Sequence, residues 1–322
     1  MPHLSRREMI VSAGLAAAFG LTTRLVAPDF ALAQQTTPPE PGFYRYKIGS
    51  IGVTAIHDGI WEKPHDPVFL KNAGVEDTKA ALTKAGLPAD FVSIPLTVSV
   101  IDTGNALILC DSGSGGQWQP TAGKLMANMK AAGIDPAKIG TVLISHFHPD
   151  HIFGLMEKET NRPIFPNAEI VVSANEYKWW TEAGRVEALP AARKPLGARI
   201  QAVFPTWKNI RPVDGEKEVA PGIRFVSVPG HTAGHVAFHL ASGNEQLMLS
   251  NDTFYVPALL APHPEWQGIY DQDGPLAVEQ RRKLAERVIG EKMAVSGAHF
   301  PFPGVATFAK DGAGYALTLR KA

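Results

Sequence analysis

The 322-residue chain contains a single cysteine, Cys110, and no excess of charge of either sign. One cysteine excludes an internal disulfide framework and a cysteine-rich zinc site. The 31 basic residues are balanced by 31 acidic ones, which argues against nucleic acid or an anionic membrane as a partner, because both need a basic surface. With 45% apolar residues, the composition is that of a globular protein with a substantial core.

Residues 1–33 are typical of an export signal and not of a folded segment. Arg6 and Arg7 form a twin-arginine pattern, an apolar stretch follows over residues 9–21, and Ala31-Leu32-Ala33 supplies a small-x-small cleavage site. The apolar stretch is too short to span a bilayer, which argues against a membrane anchor. We therefore expect a twin-arginine signal peptide, and a periplasmic or secreted protein.

The rest of the chain predicts one layered α/β domain. Residues 34–42 are a Pro/Thr/Gln linker, and no composition break divides residues 43–322. Short apolar runs alternate with helical patterns in both halves, which predicts a sandwich with two sheets inside. The expected strands are 44–48, 51–56, 96–101, 106–110, 139–145, 169–173, 223–228, 246–250 and 293–296, and the expected helices are 121–132, 174–182 and 275–289.

One segment concentrates side chains that bind metals. Four potential ligands, His146, His148, Asp150 and His151, fall within six residues directly after an apolar strand. On a strand-to-loop turn they can face one point, and each half of the segment can hold a different cation. Imidazole and carboxylate groups suit zinc and its neighbours. The spacing therefore predicts a metal site.

Three later residues occupy similar positions. His231, Asp252 and His299 each stand where an apolar run meets a loop. Active-site groups in α/β folds commonly lie at strand ends, although each of these residues alone would be weak support. Together they complete a set of seven candidate ligands.

These residues, in this order, resemble the metallo-β-lactamase superfamily over essentially all of residues 43–322. The likeness rests on the H-x-H-x-D-H segment, a Gly-His at 230–231, the later Asp and a Gly-x-His ending at 299. It implies a four-layer αββα sandwich with two divalent metal ions, zinc as first candidate, between the sheets. The implied first-metal ligands are His146, His148 and His231, the second-metal ligands are Asp150, His151 and His299, and Asp252 bridges the two.

Within that superfamily the chain resembles exported methyl parathion hydrolase-like proteins and lactonases. Residues 165–168, 277–282 and 299–304 carry the first likeness. Tyr255 carries the second, because it lies three residues after Asp252, where lactonases of the superfamily have a tyrosine that contacts the substrate carbonyl. The resemblance favours lactones, such as N-acyl homoserine lactones, or carboxylic esters. Phosphotriesters are the alternative substrates.

The resemblance also implies a mechanism. A hydroxide bridging the two cations attacks the ester-like bond, and Asp150 or Asp252 orients it and carries a proton to the leaving group. Asp111 resembles the superfamily's aspartate that braces the ligand loop. Ser145, Thr232 and Asp58 are weaker candidates for bracing the ligands, and His235 is a further one.

The substrate and assembly rest on softer patterns. The apolar loops and the likeness suggest a homodimer, and the substrate is expected to be a small molecule. A β-lactamase, a glyoxalase II-like thioesterase, an iron-dependent redox enzyme and a metal-sequestering protein remain alternatives, although Asp252 argues against the first. The aromatic residues that are candidates for an apolar pocket are Trp61, Phe69, Phe91, Phe153, Trp179, Trp180 and Phe254.

Overall fold

The computed structural model describes residues 40–320, so the expected export signal and residues 34–39 of the expected linker lie outside the described residues. Within that range, strands form two seven-stranded sheets. The first sheet contains β1 Phe43–Ile48, β2 Ile51–Pro64, β3 Phe91–Asp102, β4 Leu107–Cys110, β5 Ile139–Ile144, β6 Glu169–Ser173 and β7 Ile210–Val213, in chain order. The second contains β8 Glu218–Ala220, β9 Ile223–Ser227, β10 Val236–Ser242, β11 Glu245–Leu249, β12 Ala294–Ser296, β13 Val305–Asp311 and β14 Gly314–Leu319.

Helices connect and cover these strands. They are α1 Val75–Lys84, α2 Leu125–Ala131, α3 Pro149–Ile152, α4 Ala174–Thr181, α5 Arg185–Ala188, α6 Lys194–Val203, α7 Pro257–Leu260 and α8 Gly274–Gly290. Short 3₁₀ turns occupy Pro136–Lys138, Phe153–Leu155, Ala191–Arg193, Phe204–Thr206 and Asn251–Phe254. No helix in the described range is both long and apolar enough to cross a bilayer.

Both sheets are mixed. Strands β1 to β4 pair antiparallel, and β4 to β7 pair parallel. In the second sheet β11 and β12 are parallel, and the other neighbours are antiparallel. Asp102 of β3 pairs with Leu107 of β4, so Thr103-Gly104-Asn105 lies in the turn of a hairpin between these two strands.

The alternation of side chains along the strands builds the layers. In β5, Leu143 joins a buried cluster between the two sheets, whereas Val142 and Ile144 join another cluster beneath the helices. Successive side chains of a strand point to opposite faces of the sheet, so consecutive apolar residues in β5 bury both of its faces. Leu284 and Val288 of α8 contribute to a third cluster, on the outer face of the second sheet. The predicted four-layer αββα sandwich is therefore confirmed.

Several predicted elements shift at their ends. Helix α2 begins at Leu125 and not near Thr121, because the Thr121 hydroxyl donates to the carbonyl of Ile60 while an Asp58 oxygen accepts from the Leu125 N–H. Strand β2 continues past its predicted end through a bulge between His57 and Gly59. The Asp-Gly pair there is typical of a turn, but in this sheet it bends the strand.

The topology brings four strand ends to one edge of the sandwich. The loops after β4, β5, β11 and β12 carry Asp111, residues 145–151, Asp252 and His299. A hydrogen bond from the Val236 N–H to the Ser145 carbonyl, 3.1 Å long, links the loop after β5 to the start of β10. This edge therefore collects the candidate ligands of both sheets.

Candidate metal centre

The turn after β5 places two histidines against each other. His146 and His148 are buried, and the Nε2 atom of His146 lies 3.0 Å from the Nδ1 atom of His148. Pro149 begins helix α3 directly after them, so Asp150 and His151 sit in its single turn. The local sequence thus turns all four side chains toward the same edge.

The second sheet supplies the remaining ligands. His231 lies on the turn between β9 and β10, with its Nε2 atom 3.0 Å from the His148 Nδ1 atom. Asp252 lies in the 3₁₀ turn after β11, and His299 follows β12. The structure therefore brings together all seven residues that the sequence singled out, which we call the ligand cluster.

Asp252 lies between two groups of ligands. Its Oδ2 atom is 3.3 Å from the Nε2 atom of His231 and 3.8 Å from that of His146. Its Oδ1 atom is 3.2 Å from the Nε2 atoms of both His151 and His299. One carboxylate thus faces both groups, which is the position that a bridging ligand needs.

The donor set fits two metal ions. One group consists of His146, His148, His231 and Asp252, the other consists of Asp150, His151 and His299, and within each the ligand atoms lie within 4.8 Å of one another. The His151 Nε2 and Asp252 Oδ1 atoms are buried and have no hydrogen-bond partner among residues 40–320. Unpaired buried donors and acceptors are costly, and a cation satisfies both kinds of atom. The cluster is therefore built to hold two metal ions.

The electrostatics favour ionised carboxylate at the centre. Burial raises the pKa of Asp252, but His299, His151 and His146 outweigh burial and hold it well below its usual range. Asp150 behaves differently, since burial raises its pKa above the usual value despite the neighbouring His151 and His299. In the absence of metal, Asp252 therefore loses its proton more readily than Asp150 does.

The histidines divide in a similar way. Burial, together with neighbouring imidazoles, lowers the pKa values of His146 and His148 far below the ordinary value. Burial also acts to lower the pKa of His231, but its hydrogen bonds with Asp252 and Asp271 raise that pKa to about 9. Because metal ligands must be deprotonated, protons compete with cations for His231 more than for the other two.

Asp111, at the end of β4, braces the turn after β5. Its carboxylate accepts hydrogen bonds from the Ser145 N–H, the Ser145 hydroxyl and the His151 Nδ1 atom, each 2.8 Å long. The Ser145 hydroxyl also lies 3.0 Å from the His146 Nδ1 atom. With Nδ1 engaged in this way, the Nε2 atoms of His146 and His151 are turned toward the centre.

Similar supports hold the histidines of the second sheet. The His231 Nδ1 atom lies 2.9 Å from an oxygen of Asp271, and the His299 Nδ1 atom lies 2.8 Å from the Pro95 carbonyl oxygen. Asp271 is buried beside the guanidinium of Arg281, which also donates to the Thr253 carbonyl next to Asp252. The role of Asp271 could not be predicted from the sequence, because an acidic residue just before a helix is typical of a cap or turn.

The other candidate supports act less directly. The Thr232 hydroxyl donates to buried Glu176 and not to a ligand. Asp58 accepts from the Ser114 N–H and hydroxyl, so it shapes the loop after β4. Burial lowers the pKa of His235 to about 3, and its neutral Nε2 atom accepts a long hydrogen bond, 3.4 Å, from the Asp252 N–H.

Two left-handed residues flank the cluster. Asp111 has φ of 60° and Asn251 has φ of 46°. Asn and Asp tolerate this region better than other non-glycine residues. The Asn251 side chain also donates to the Val236 carbonyl at 3.0 Å, which secures the turn that presents Asp252.

A cavity of about 330 Å³ opens above the ligand cluster. Its floor includes His148, Asp150, His231, Asp252 and His299, with Tyr255 beside them. We call the remaining lining, apart from Pro149, the cavity wall, which consists of Trp61, Ile94, Trp118, Gln119, Ala192, Arg193, Leu196 and Tyr270. A cavity of this size and lining suits a small, largely apolar substrate.

The structure corrects most of the aromatic pocket candidates. Trp61 lies on the cavity wall, with its ring 4.8 Å from that of Trp118 and 6.2 Å from that of Tyr270. The other six do not line the cavity. Phe69 and Phe254 are buried in the cluster outside the second sheet, Phe153, Trp179 and Trp180 pack beneath the helices of the first sheet, and Phe91 is half-buried at the start of β3.

The misassigned residues share a physical cause. Large aromatic side chains bury much apolar area, so they serve the core more often than a pocket. Trp118, Tyr270 and Arg193, which do line the cavity, lie in segments without apolar periodicity. Arg193 donates to the Ile269 carbonyl at 3.1 Å and brings a positive charge to the wall.

Tyr255 stands at the junction of floor and wall. Its side chain is 3% exposed, its ring centroid lies 5.2 Å from that of His231, and its hydroxyl has no hydrogen-bond partner among the described residues. Burial raises its pKa well above the ordinary value, so the hydroxyl keeps its proton. Gly268 makes room for it, because a Cβ atom there would lie 1.5 Å from the hydroxyl oxygen.

Comparisons with known proteins agree with this geometry. The chain is 24% identical over 232 residues to an N-acyl homoserine lactonase of Bacillus sp, covering 66% of this chain and 84% of that protein. Among solved structures it is similar to AidC, a dizinc quorum-quenching lactonase solved with the product N-hexanoyl-L-homoserine, at 26% identity and a TM-score of 0.82, covering 87% of this chain and 98% of that one.

A further solved structure, the hydrolase AbOPH, matches at 24% identity and a TM-score of 0.78, over 87% of this chain and 98% of that one, and so shares the fold. The family model described as the metallo-beta-lactamase superfamily matches residues 95–299, a span that contains all seven residues of the ligand cluster. The chain therefore belongs to the metallo-beta-lactamase superfamily.

Proposed function

We propose that the chain is a metal-dependent hydrolase that opens lactones, with N-acyl homoserine lactones as the first candidates. The observation that carries this proposal is the buried, unpartnered hydroxyl of Tyr255 beside a ligand cluster bridged by Asp252. Lactone hydrolysis is supported by the Bacillus relative and by AidC, both of which are lactonases. The predicted family and the predicted enzyme class agree with this function.

The side chains divide the reaction between them. Held by the ligand cluster, two divalent cations would lower the pKa of a bound water so that it can act as nucleophile at neutral pH, and would polarise the carbonyl under attack. The protonated Tyr255 hydroxyl donates a hydrogen bond to the lactone carbonyl oxygen. Asp150, on the cavity floor, would accept the proton that the attacking water loses and pass it to the ring oxygen as the bond between that oxygen and the acyl carbon breaks.

Zinc is the metal that we propose for both groups. Histidine nitrogen and carboxylate oxygen are its usual ligands, and the cluster offers five imidazoles and two carboxylates. Elemental analysis of the chain purified without added metal tests the assignment. About two zinc ions per chain is the expected result, and a stoichiometric content of iron or manganese would contradict it.

The test of the function is ring opening by the metal-loaded chain. N-acyl homoserine lactones of increasing acyl length are followed with a pH indicator, because each opened ring releases a proton at neutral pH. Turnover should disappear when a chelator removes the metal and return when zinc is restored. A metal-loaded chain that cleaves aryl esters but opens none of the lactones would overturn the proposal.

Aryl phosphotriesters are a second candidate substrate class. The rings of Trp61, Trp118 and Tyr270 meet on the cavity wall, where an aromatic leaving group would stack. Methyl parathion and paraoxon in the same assay compare the two classes. We expect a lower kcat/KM for these phosphotriesters than for the best lactone. A higher value would make phosphotriesters the first candidate substrates and lactones the second.

Export is a separate proposal that rests on residues 1–33 alone. We infer that the twin-arginine pair directs the folded chain across the inner membrane. Replacing Arg6 and Arg7 with lysine should leave the chain uncleaved in the cytoplasm of the expressing cell, as cell fractionation would show. The homodimer likewise stays a prediction, which light scattering of the purified chain tests.

A further inference from the structure

Glu176 is a buried carboxylate that is neither a metal ligand nor a hydrogen-bond partner of a ligating side chain. It lies on helix α4, which follows β6 and packs beneath the first sheet, and it is 1% exposed. A charge in such a position is costly unless hydrogen bonds or opposite charges compensate it. The contacts of its two oxygen atoms show what compensates it.

Each oxygen of Glu176 serves a different ligand turn. The Oε1 atom accepts from the N–H of Phe147, the residue between two metal ligands, at 2.9 Å. The Oε2 atom accepts from the Thr232 hydroxyl at 2.7 Å and from the Gly234 N–H at 2.9 Å, directly after the ligand His231. One side chain therefore joins the turn after β5 to the turn before β10.

The fourth contact comes from the same helix. The Trp180 indole N–H donates to the Oε1 atom at 2.8 Å. All four partners are donors, and a carboxylate is the side-chain group that accepts at every site. Burial raises the pKa of Glu176, but these four hydrogen bonds act in the opposite direction. An amide would present its NH₂ group to at least one of the two turns.

The backbone itself is in close contact at this point. A Cβ atom on Gly234 would lie 2.0 Å from the Glu176 nitrogen, so the absence of a side chain lets the turn rest on the start of the helix. The turn before β10 is thus pinned by both the backbone and the carboxylate of the helix. The turn after β5 is pinned by the same carboxylate.

We propose that Glu176 is a positioning residue for the first metal ion, which sets the distance between His231 and the pair His146 and His148. These three imidazoles come from two turns of different sheets, and Glu176 holds both turns at once. The proposal rests on the two-metal site of the proposed function. It assigns a part in metal affinity to helix α4, which does not line the substrate cavity.

The test replaces Glu176 with glutamine and measures zinc binding alone. Competition with a chromophoric chelator gives the two stepwise dissociation constants of the metal-free chain. We expect one of them to rise about tenfold to a hundredfold, as is typical when a residue supporting a metal ligand is lost. The melting temperature of the metal-free chain should fall, because a buried donor loses its acceptor, and the rise that zinc induces should shrink as well.

The matched control is W180F. It removes the fourth donor and disturbs the packing of the same helix, yet both ligand turns keep their hydrogen bonds to Glu176. It should lower the melting temperatures of the metal-free and zinc-loaded chains alike and leave both dissociation constants within about twofold. If E176Q matches W180F in all of these quantities, Glu176 serves the fold alone and the proposal fails.

A second variant keeps the test decisive if E176Q does not fold. T232V preserves the shape of the side chain and removes one hydrogen bond to the Oε2 atom. It should weaken zinc binding at one site about threefold to tenfold and lower the melting temperature of the metal-free chain no more than W180F does. Unchanged zinc affinity in T232V together with an unfolded E176Q would overturn the proposal.

These measurements use no lactone. If the chain binds two zinc ions, and E176Q binds them more weakly, but the chain opens no lactone, the proposed function is refuted and the role of Glu176 stands. If the chain opens lactones but E176Q binds zinc as tightly as the unmodified protein, the role of Glu176 is refuted and the proposed function stands.

Discussion

The ligand cluster and the cavity wall above it are held in place by different kinds of contact. Around the cluster, buried polar groups such as Asp111, Asp271 and the Pro95 carbonyl bind the outward nitrogens of the ligating histidines. Along the wall, Trp61, Trp118 and Tyr270 meet mainly ring against ring. Directional hydrogen bonds fix atoms to fractions of an ångström, whereas aromatic contacts tolerate rearrangement.

This difference separates chemistry from substrate choice. Changes in the cluster or its supports should cost metal binding and turnover together, for every substrate. Changes in the wall should alter which substrates bind while the metal content stays the same. The following experiments test that separation, from the largest expected effect to the smallest.

Replacing Asp252 with alanine should abolish hydrolysis. The variant loses the only carboxylate that faces both ligand groups within the described range, so neither the bridging position nor the charge balance of the cluster survives. Circular dichroism should show a largely intact fold, because Asp252 lies in a loop after β11. Retained turnover in a variant whose metal content has been measured would defeat the bridging assignment.

Replacing Asp271 with asparagine should reduce zinc affinity or turnover about tenfold to a hundredfold. The amide cannot offer His231 the same charged acceptor, and the buried Arg281 guanidinium loses its ionic partner. Asp273, an exposed residue whose oxygen caps α8, provides the matched control, since asparagine caps helices equally well. Equal losses in D271N and D273N would point to helix α8 and not to the metal.

Tyr255→Phe should reduce lactone turnover about tenfold and phosphotriester turnover less. The variant removes only a hydroxyl that has no protein partner within residues 40–320, so neither zinc content nor stability should fall. The kcat/KM values for a homoserine lactone and for paraoxon give the comparison. The same loss on both substrates would remove the main reason for preferring lactones.

Trp61→Ala should raise KM for long-chain lactones about tenfold and leave kcat and zinc content unchanged. The change opens the wall where Trp61 contacts Trp118 and Tyr270. W179A is the control, because Trp179 packs beneath the helices and does not line the cavity. A fall in zinc content in W61A would break the separation between wall and cluster.

The two regions also differ in how far the sequence predicts them. The seven ligands could be found because they need particular residue types directly after apolar strands, and His146 to His151 stand in one short segment. Asp111 followed from the resemblance, whereas Ser145 was a weaker candidate. The fold could be predicted because near-continuous apolar runs in strands such as β5 and β6 require two covered faces.

The cavity wall could not be predicted in the same way. Trp118, Arg193 and Tyr270 come from three distant loops, and their meeting depends on tertiary packing that no local pattern encodes. Glu176 and Asp271 were missed for a related reason, since a single acidic residue on or before a helix is ordinary in sequence. Their importance comes from burial and from partners far along the chain.

The missing side chain at Gly268 leaves room for the Tyr255 hydroxyl, so a substitution at this position would alter the active site without changing a metal ligand. The backbone there has no unusual torsion, so an alanine would be compatible with the local chain direction, yet its methyl group would occupy the place of the phenol oxygen of Tyr255. One added carbon would thus push the Tyr255 hydroxyl aside without changing it chemically. Natural or engineered variants at this position offer a way to retune ester selectivity while every metal-binding side chain keeps its identity.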